Sequence, residues 1–454
     1  MLRSPSDMTC CEAAAAIRQA SVSPLELVDS LLERIDALDG EIEAFCFVDR
    51  ENARRRAIEL GNEAARGIIR GPLHGVPFVA KDLFYTRGIP TEAGSKVLKG
   101  HTSSFDATAV ARLNQAGGIL LGKTHTTEFA ILDPAPTRNP WNYEHTPGGS
   151  SSGSAAAVAA HMAPLALATQ TGGSTLRPAA YCGVVGFKPS FGRVSLHGVL
   201  PLTWCMDHVG FIARDVADVA VALQVTAGFD PADPASANVD VPDFRSLIPM
   251  AKPPIFGRVR HAFFDDADPE VLMALGEATT RLSRSGASIR DVRLPESFTA
   301  IHAAQHVAGD VETAEVHSGL YALYSELYRP KAREAIEVGF LVPAELYLRA
   351  QRIRQQFRSD MNEMLEPFDA LILPTANAPA PKHLVSVGDW KFQSPWSSAG
   401  LPSISIPCGL SSARLPLAIQ LVGGAFSEPS LLAAAAWCES VLGRLPPPPL
   451  SASP

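Results

Sequence analysis

Residues 146–189 read TPGGSSSGSAAAVAAHMAPLALATQTGGSTLRPAAYCGVVGFKP, and this stretch decides how the chain folds. Two Gly-Gly-Ser clusters enclose a helix of small residues (152–162) and an apolar strand (164–168). A helix that leads straight into a strand can bring both glycine clusters to one end of a sheet. Glycine and serine at this density let backbone amides approach a ligand closely. The stretch therefore predicts a binding or catalytic site at the edge of a sheet.

Two other interpretations of these clusters are weaker. Glycine-serine runs often form flexible linkers, but these runs adjoin apolar segments that a linker would not need. A phosphate-binding loop at these clusters would require GxxxxGK[ST], or GxGxxG directly after a strand, and neither pattern occurs within residues 146–189. Nucleotide binding therefore has little support.

Outside this stretch, strand patterns alternate with helix patterns. Ser23-Pro24-Leu25-Glu26 carries a capping residue, a first-turn proline and a glutamate, which predicts a helix to about Leu38. A strand over 42–48 and a helix over 51–66 should follow. Further short apolar runs predict strands: VPFVAKD (76–82), GGILLGK (117–123), APLALAT (163–169), ALILPT (370–375), SISIPCGL (403–410) and LAIQLVGG (417–424). The alternation predicts an α/β fold, a large mixed β-sheet covered by helices on both faces.

The middle of the chain predicts an insertion. From about 230 to 249 the sequence is rich in Pro, Ala and Asp, which favours a surface connection. We expect a mainly helical inserted region over about 251–365, after which the late strands rejoin the first sheet. The chain is thus predicted to be a single domain over 1–454, with a core of about 20–228 and 366–445.

Composition excludes several classes of protein. Of 454 residues, 46% are hydrophobic and 19% are charged, as in a globular enzyme, and the formal charge of −8 makes nucleic acid an improbable partner. Arg54-Arg55-Arg56 fits a solvated helix face. The start lacks a signal-peptide core and no run of eighteen apolar residues occurs, so we expect a cytoplasmic location and no membrane partner. Seven scattered cysteines without a CxxC pair predict neither disulfides nor a zinc site.

Several spaced motifs together carry a family resemblance. The glycine-serine pattern, GVPFVAKD (75–82) before it and CGVVGFKPSFGRVS (182–195) after it resemble the amidase signature family of serine hydrolases. RNPWN (138–142) and GLPSISIPCG (400–409) are similar to other family segments, so the resemblance covers most of the chain. Two positions depart from the frequent family pattern: Ser152 replaces a glycine, and Gln170 replaces an aspartate.

The resemblance implies a Ser-Ser-Lys triad. Its nucleophile would be Ser174, its bridging serine Ser150, 24 residues earlier, and its lysine Lys81. It also implies a non-proline cis peptide between Gly149 and Ser150. Ser150 would relay a proton between the nucleophile and the lysine.

The same resemblance implies an oxyanion hole formed by the backbone amides of Thr171, Gly172 and Gly173. A glycine turn can aim successive N–H groups at one point, where they stabilise the charge that develops on the attacked carbonyl oxygen.

This chemistry needs an uncharged lysine. An amide is a poor electrophile, so a serine hydroxyl needs a base to take its proton. With a reference pKa of about 10.4, only about one lysine in a few thousand is neutral at pH 7, but burial can lower the pKa by about 3 to 5 units. Lys81 follows the apolar run 76–80, while Asp82 should point to the opposite face of the strand. The alternative is an ordinary surface lysine.

Arg177 lies three residues after Ser174, as in malonamidase-like members, whereas many members that resemble the tRNA amidotransferase subunit have it one place earlier. A guanidinium at this position could hold a substrate carboxylate with two hydrogen bonds. The alternative is an arginine that fixes the loop through backbone carbonyls. The sequence leaves both open.

These features predict an amidohydrolase that cleaves a small-molecule amide to a carboxylic acid and ammonia or an amine, through an acyl-enzyme and without a cofactor or metal. A small carboxylate-bearing amide is one candidate substrate, and a homodimer is one candidate assembly. The alternatives are the glutaminase subunit of a tRNA-dependent amidotransferase and a non-catalytic binding module. No GxSxG elbow lies between a predicted strand and a helix, so His74, His125, His145 and His208 are interpreted as structural or surface residues, and Cys182 and Cys408 as buried small residues.

Overall fold

The computed structural model describes residues 4–246, 250 and 252–450. Within these residues, eleven strands form one mixed sheet whose order is β1-β3-β2-β4-β6-β5-β10-β11-β9-β7-β8. The strands are β1 (Phe45–Val48), β2 (Pro77–Lys81), β3 (Ile119–Thr124), β4 (Leu165–Gln170), β5 (Val185–Lys188), β6 (His208–Ala213), β7 (Ile255–Val259), β8 (Ser288–Val292), β9 (Ala370–Pro374), β10 (Ser403–Leu410) and β11 (Pro416–Val422). The α/β fold with a large mixed sheet is confirmed, and the late strands rejoin the first sheet as predicted.

Helices cover both faces of this sheet. They are α1 (Cys10–Arg18), α2 (Pro24–Ile42), α3 (Arg50–Ala65), α4 (Thr108–Gln115), α5 (Ser152–Ala159), α6 (Leu176–Cys182), α7 (Val216–Thr226), α8 (Ala262–Asp265), α9 (Pro269–Arg284), α10 (Phe298–Tyr324), α11 (Pro330–Leu341), α12 (Ala344–Leu365), α13 (Ser394–Ser398) and α14 (Glu428–Leu442). All residues of the central strands β2 and β4 are buried, as expected for strands covered on both sides. In the part of the chain that the structure describes, no helix combines the length and apolar character needed to cross a bilayer.

The first helical unit begins as the sequence predicted. Ser23 accepts a hydrogen bond from the Glu26 backbone, and the Glu26 carboxylate accepts one from the Ser23 backbone. Helix α2 continues to Ile42, four residues past the predicted end, because Leu38 and Ile42 are both buried on its apolar face. The strand after it is correspondingly shorter than predicted.

The inserted segment differs in part from the prediction. Helices α9 to α12 fill most of it, but β7 and β8 lie near its start and extend the far edge of the main sheet. Both strands pair in parallel, β7 with β8 and with β9, through backbone hydrogen bonds that no side-chain pattern reveals. The predicted surface connection over 230–249 contains no helix or strand up to residue 246, and residues 247–249 lie outside the described residues.

The sheet brings the predicted site residues together through its topology. Strands β2 and β4 are parallel neighbours, with Ala80 opposite Leu167, so their carboxyl ends lie at the same edge. Helix α5 packs against both strands and runs directly into β4, which places the start of α5 near the end of β4. Lys81, Ser150 and the glycine turn at 171–174 therefore meet at one edge.

Candidate active site

Lys81 ends strand β2 as a fully buried side chain. Its Nζ lies 2.6 Å from Ser150 Oγ and 2.7 Å from Thr169 Oγ1. Burial holds the pKa of Lys81 well below its ordinary value, and this effect outweighs the opposing one of the Asp207 carboxylate. Lys81 is therefore not the surface lysine of the alternative interpretation, and its amine can be neutral at physiological pH.

The acidic neighbour in sequence does not hold Lys81 charged. Asp82 makes its ion pair with another buried lysine, Lys123, at 3.0 Å, and it accepts a hydrogen bond from the backbone of Glu92. The prediction that Asp82 turns away from Lys81 is confirmed.

Ser150 follows a cis peptide bond with Gly149, as the family resemblance implied. Its backbone carbonyl accepts a hydrogen bond from the Thr127 amide at 3.2 Å. Ser152, the replacement for a family glycine, donates its hydroxyl to the Gly148 carbonyl at 2.7 Å. The substituted serine thus fastens the loop before the cis peptide, and it does not enter the Lys81 contact.

Ser174 ends the glycine turn after β4, and unlike Lys81 and Ser150 it is partly exposed. Its backbone carbonyl accepts a hydrogen bond from the Ser151 amide at 3.2 Å, which ties the two glycine clusters together. Ser174 and Ser150 line the same cavity of about 160 Å³. The structure therefore brings both predicted serines and, through Ser150, the predicted lysine to one site.

The glycine turn is held by side chains from both ends. Thr171 donates its hydroxyl to Asp207 at 2.5 Å. The side-chain oxygen of Gln170 accepts hydrogen bonds from the backbone amides of Thr175 and Leu176, each at 2.9 Å. Its side-chain nitrogen donates to Ser397 Oγ at 2.9 Å. An aspartate could accept the same two amides but could not donate to Ser397. Gln170 is thus a compatible replacement for the family aspartate.

Gly172 and Gly173 have no room for a side chain. A Cβ on Gly172 would lie 2.6 Å from Trp390 Cε3, and one on Gly173 would lie 2.4 Å from Gln393 Oε1. Trp390 itself lines the cavity. The turn is therefore packed beneath an aromatic side chain that also forms part of the cavity wall.

We predict that Gly172→Ala lowers kcat/KM for any amide substrate by at least about tenfold, because the turn or Trp390 must shift and misplace the amides. Gly276→Ala on α9 is the matched control, since a Cβ there meets nothing within 4 Å. Steady-state kinetics of the two purified variants measure the effect. Equal activities would show that the turn is not held in the geometry described.

Arg177 lies in α6 and lines the same cavity, although it is only 2% exposed. Its Nη2 donates to the Gly149 carbonyl at 2.5 Å and its Nη1 donates to the Gly388 carbonyl at 3.1 Å. Burial lowers the pKa of Arg177 to about 10. Within the described residues, Nε has no hydrogen-bond partner and no carboxylate lies within ion-pair distance of the guanidinium. The loop-fixing contacts exist, and the Asp389 carboxylate offsets part of the buried positive charge from beyond ion-pair distance.

The histidines and cysteines singled out in the sequence do not line this cavity. His74 and His208 contact the backbone carbonyls of Leu60 and Gln170, at 3.0 and 3.1 Å. Burial raises the pKa of the Cys182 thiol and raises that of Cys408 to about 12, so neither is a thiolate. Among the residues described, no group of three His, Cys, Asp or Glu side chains is placed to hold a metal.

Sequence reasoning missed several groups that shape the site: Thr169, Asp207, Trp390, Ser397 and the cavity-facing residues of α10. Thr169 left a usable signal, because it is a polar residue near the end of an otherwise apolar strand. The others come from segments distant in sequence and carry no local motif.

The fold and the cavity are those of a serine hydrolase on an α/β scaffold, with serine hydroxyls and a desolvated lysine at the edge of its sheet. Residues 26–432 match the family model described as Amidase. The chain belongs to the amidase family.

The relatives agree with this assignment. The A subunit of glutamyl-tRNA(Gln) amidotransferase from Anaeromyxobacter sp. (strain K) is 38% identical, with 96% of this chain and 97% of the relative covered. The corresponding protein from Geobacter sp. (strain M21) is 36% identical, with 94% and 96% covered.

Solved structures show the same fold. A chain from a vestigial protein complex, described as revealing the evolutionary origins of an s-triazine catabolic enzyme, is 32% identical with a TM-score of 0.90, covering 96% of this chain and 99% of its own. The peptide amidase of Stenotrophomonas maltophilia is 28% identical with a TM-score of 0.86, covering 97% of this chain and 98% of its own.

Proposed function

We propose that this amidase hydrolyses its substrate through Ser174, Ser150 and Lys81. The observation that carries the proposal is the 2.6 Å contact between the buried Lys81 amine and Ser150 Oγ, beside a cavity that Ser174 also lines. Ser174 Oγ attacks the amide carbonyl, while its proton passes to Ser150 and the Ser150 proton passes to neutral Lys81. The carbon–nitrogen bond breaks as the relay returns a proton to the leaving nitrogen.

The second half of the reaction reverses these transfers. Water attacks the acyl-enzyme ester and loses its proton through Ser150 to Lys81, and Ser174 leaves with a proton from the same relay. Thr169 fits this cycle as a second partner of the amine, since its hydroxyl lies 2.7 Å from Nζ and can keep the nitrogen oriented toward Ser150. The products are a carboxylic acid and ammonia or an amine.

We assign the oxyanion hole to the backbone amides of Thr171, Gly172 and Gly173. This assignment is supported by the two hydrogen bonds that hold the turn. The Thr171 hydroxyl donates to Asp207, and Ser397 Oγ donates to the Gly172 carbonyl at 2.7 Å. Donors that are already immobilised need little reorganisation when charge develops on the carbonyl oxygen.

We further propose that Arg177 binds a carboxylate of the substrate. A buried charge is normally paired, and the Arg177 guanidinium donates to two neutral carbonyls, while the Asp389 carboxylate acts on it only from beyond ion-pair distance. Arg177 retains unused N–H donors, and it lines the cavity that Ser174 lines. A substrate anion in this cavity would complete the pairing of this charge.

A substrate series tests the role of Arg177. We predict that the wild-type enzyme hydrolyses 4-carbamoylbutanoate with a kcat/KM at least about tenfold above that of its neutral isostere 5-methylhexanamide. Arg177→Met should bring the ratio of the two kcat/KM values close to one. It should also lower the activity on both amides, because the contact with Gly149 is lost. Ammonia release measures both rates. A ratio near one in the wild-type enzyme would leave Arg177 with its loop-fixing role alone.

The second candidate is a glutaminase subunit of a tRNA-dependent amidotransferase, which the 38% identity to the Anaeromyxobacter amidotransferase protein favours. Glutamine is included in the series for this reason. A kcat/KM for glutamine at least about tenfold above those of the other amides would select the second candidate.

We also propose that the whole chain acts as one domain, in which the segment 251–365 supplies a wall of the acyl cavity through α10. A homodimer stays a prediction.

A further inference from the structure

Helix α10 presents a polar face to the cavity. The cavity-lining residues of this helix follow helical spacing: Gln305, His306, Gly309, Asp310 and Thr313. Ser174 and the glycine turn line the same cavity, so a substrate held at Ser174 extends toward this face. The chemistry of the α10 face therefore bears on which substrates fit.

Gln305 brings an unused acceptor to this face. Its side chain is 3% exposed, and its Nε2 donates to the Thr171 carbonyl at 3.3 Å. Because a carbonyl oxygen can only accept a hydrogen bond, the side-chain atom next to it must be the amide nitrogen, and the other terminal atom must be the oxygen. The remaining atom, Oε1, is buried and has no hydrogen-bond partner among the described residues. An unpaired buried acceptor is costly, so a bound donor would be favoured.

Asp310 brings a second acceptor five residues later. Its carboxyl is partly buried at the cavity wall, and within the described residues it makes no hydrogen bond or ion pair. Its titratable neighbours are His306, one turn earlier on α10, and Glu334 on the adjacent α11. No lysine lines the cavity in the described part of the chain, and Arg177 is its only guanidinium.

Space for a substrate group is left between these two acceptors. Gly309 lies between them in sequence on α10, and a Cβ built there would meet only Met206 Cε, at 3.8 Å. The absence of a side chain at position 309 keeps this part of the wall open.

We propose that the α10 face, through Gln305 Oε1 and the Asp310 carboxylate, binds N–H donors at the end of the substrate remote from the scissile amide. The substrate class is an amide that carries a second nitrogen group, either a neutral carboxamide or ureido group or an ammonium. This inference rests on the proposed function, because it takes Ser174 as the position of the reacting carbonyl.

Binding to the Ser174→Ala protein tests the inference without turnover. Three amides of similar length are used in isothermal titration: glutaramide, its apolar isostere 5-methylhexanamide, and 5-aminopentanamide, whose far end is an ammonium. We expect glutaramide or 5-aminopentanamide to bind at least about tenfold more tightly than 5-methylhexanamide. Tighter binding of glutaramide identifies the neutral donor, and tighter binding of 5-aminopentanamide identifies the cation.

Two variants in the same background assign the preference to the α10 face. Asp310→Asn should reduce the preference for 5-aminopentanamide at least about fivefold, and Gln305→Leu should do the same for glutaramide. Glu334→Gln is the control, since it removes an exposed charge that does not line the cavity, and it should change either preference by less than about twofold. Thermal unfolding checks that each variant is folded.

Equal binding of 5-methylhexanamide and both nitrogen-bearing amides overturns the inference, as does an equal effect of Asp310→Asn and Glu334→Gln. Hydrolysis is measured separately with the wild-type enzyme. If the binding preference is present but no amide is hydrolysed, the proposed function fails while the inference about the α10 face stands.

Discussion

Replacing Ser174 with alanine should lower kcat/KM for amide hydrolysis by at least about 10,000-fold, the largest effect we expect from any single substitution. The hydroxyl is the atom that forms the acyl-enzyme, and removing a nucleophile leaves only the contribution of the oxyanion hole and substrate binding. Ser174 is partly exposed and, within the described residues, no side-chain hydrogen bond holds it, so the variant should fold normally. Ammonia release over hours, with highly purified protein, measures the residual rate.

Ser154→Ala is the matched control for this variant. Ser154 is a buried serine of α5 whose Oγ lies 2.8 Å from Thr124 Oγ1 and 3.1 Å from the Leu167 carbonyl, and it does not line the cavity. Its loss should leave kcat/KM within about threefold of wild type. A second readout is the mass of the protein after reaction with a slowly hydrolysed ester, which should show acylation in wild type and Ser154→Ala only. Retention of a tenth of the activity in Ser174→Ala would falsify the assignment.

Replacing Lys81 with methionine should lower kcat/KM by about 1,000-fold or more, because the relay from Ser150 loses its final acceptor. The pH dependence of kcat/KM should also change, in a direction that follows from the lowered pKa of Lys81. Burial lowers the pKa of Lys81, so the base is neutral above that lowered pKa and becomes protonated as the pH falls through it. Wild-type kcat/KM should therefore decline on the acid side, and this decline should be absent from the residual activity of Lys81→Met.

A second buried lysine provides the control. Lys188 ends β5, and its Nζ donates to the carbonyls of Leu401 and Pro189, at 2.5 and 3.1 Å. Burial lowers the pKa of Lys188 to about 7, so its titration could also produce an acid-side decline. Lys188→Met should keep the wild-type profile. If the acid-side decline of kcat/KM disappears in Lys188→Met and persists in Lys81→Met, Lys81 is not the base of the proposed relay.

The site strands β2 and β4, and the late strand β10, could be predicted from the sequence because their signals are local. VPFVAKD, APLALAT and SISIPCGL are apolar runs bounded by turn residues, and burial on both faces makes such runs nearly continuous. Strands β5 to β8 were not predicted. Among them, β7 and β8 escaped because IFGRV and SIRDV are short and partly polar, and β8 is mostly exposed. Their place in the sheet depends on parallel backbone pairing with distant partners.

The sequence by itself determined the class of fold, the spacing of Ser150 and Ser174, and the apolar strand that ends at Lys81. Those features are set by residue types within short windows, which is why motif and periodicity reveal them. Tertiary structure alone decided that the Lys81 amine is desolvated against Ser150 and Thr169, that Asp82 is paired with Lys123, and that α10 faces the cavity. Desolvation and hydrogen bonding depend on every group within a few ångströms, and those groups come from segments tens to hundreds of residues apart.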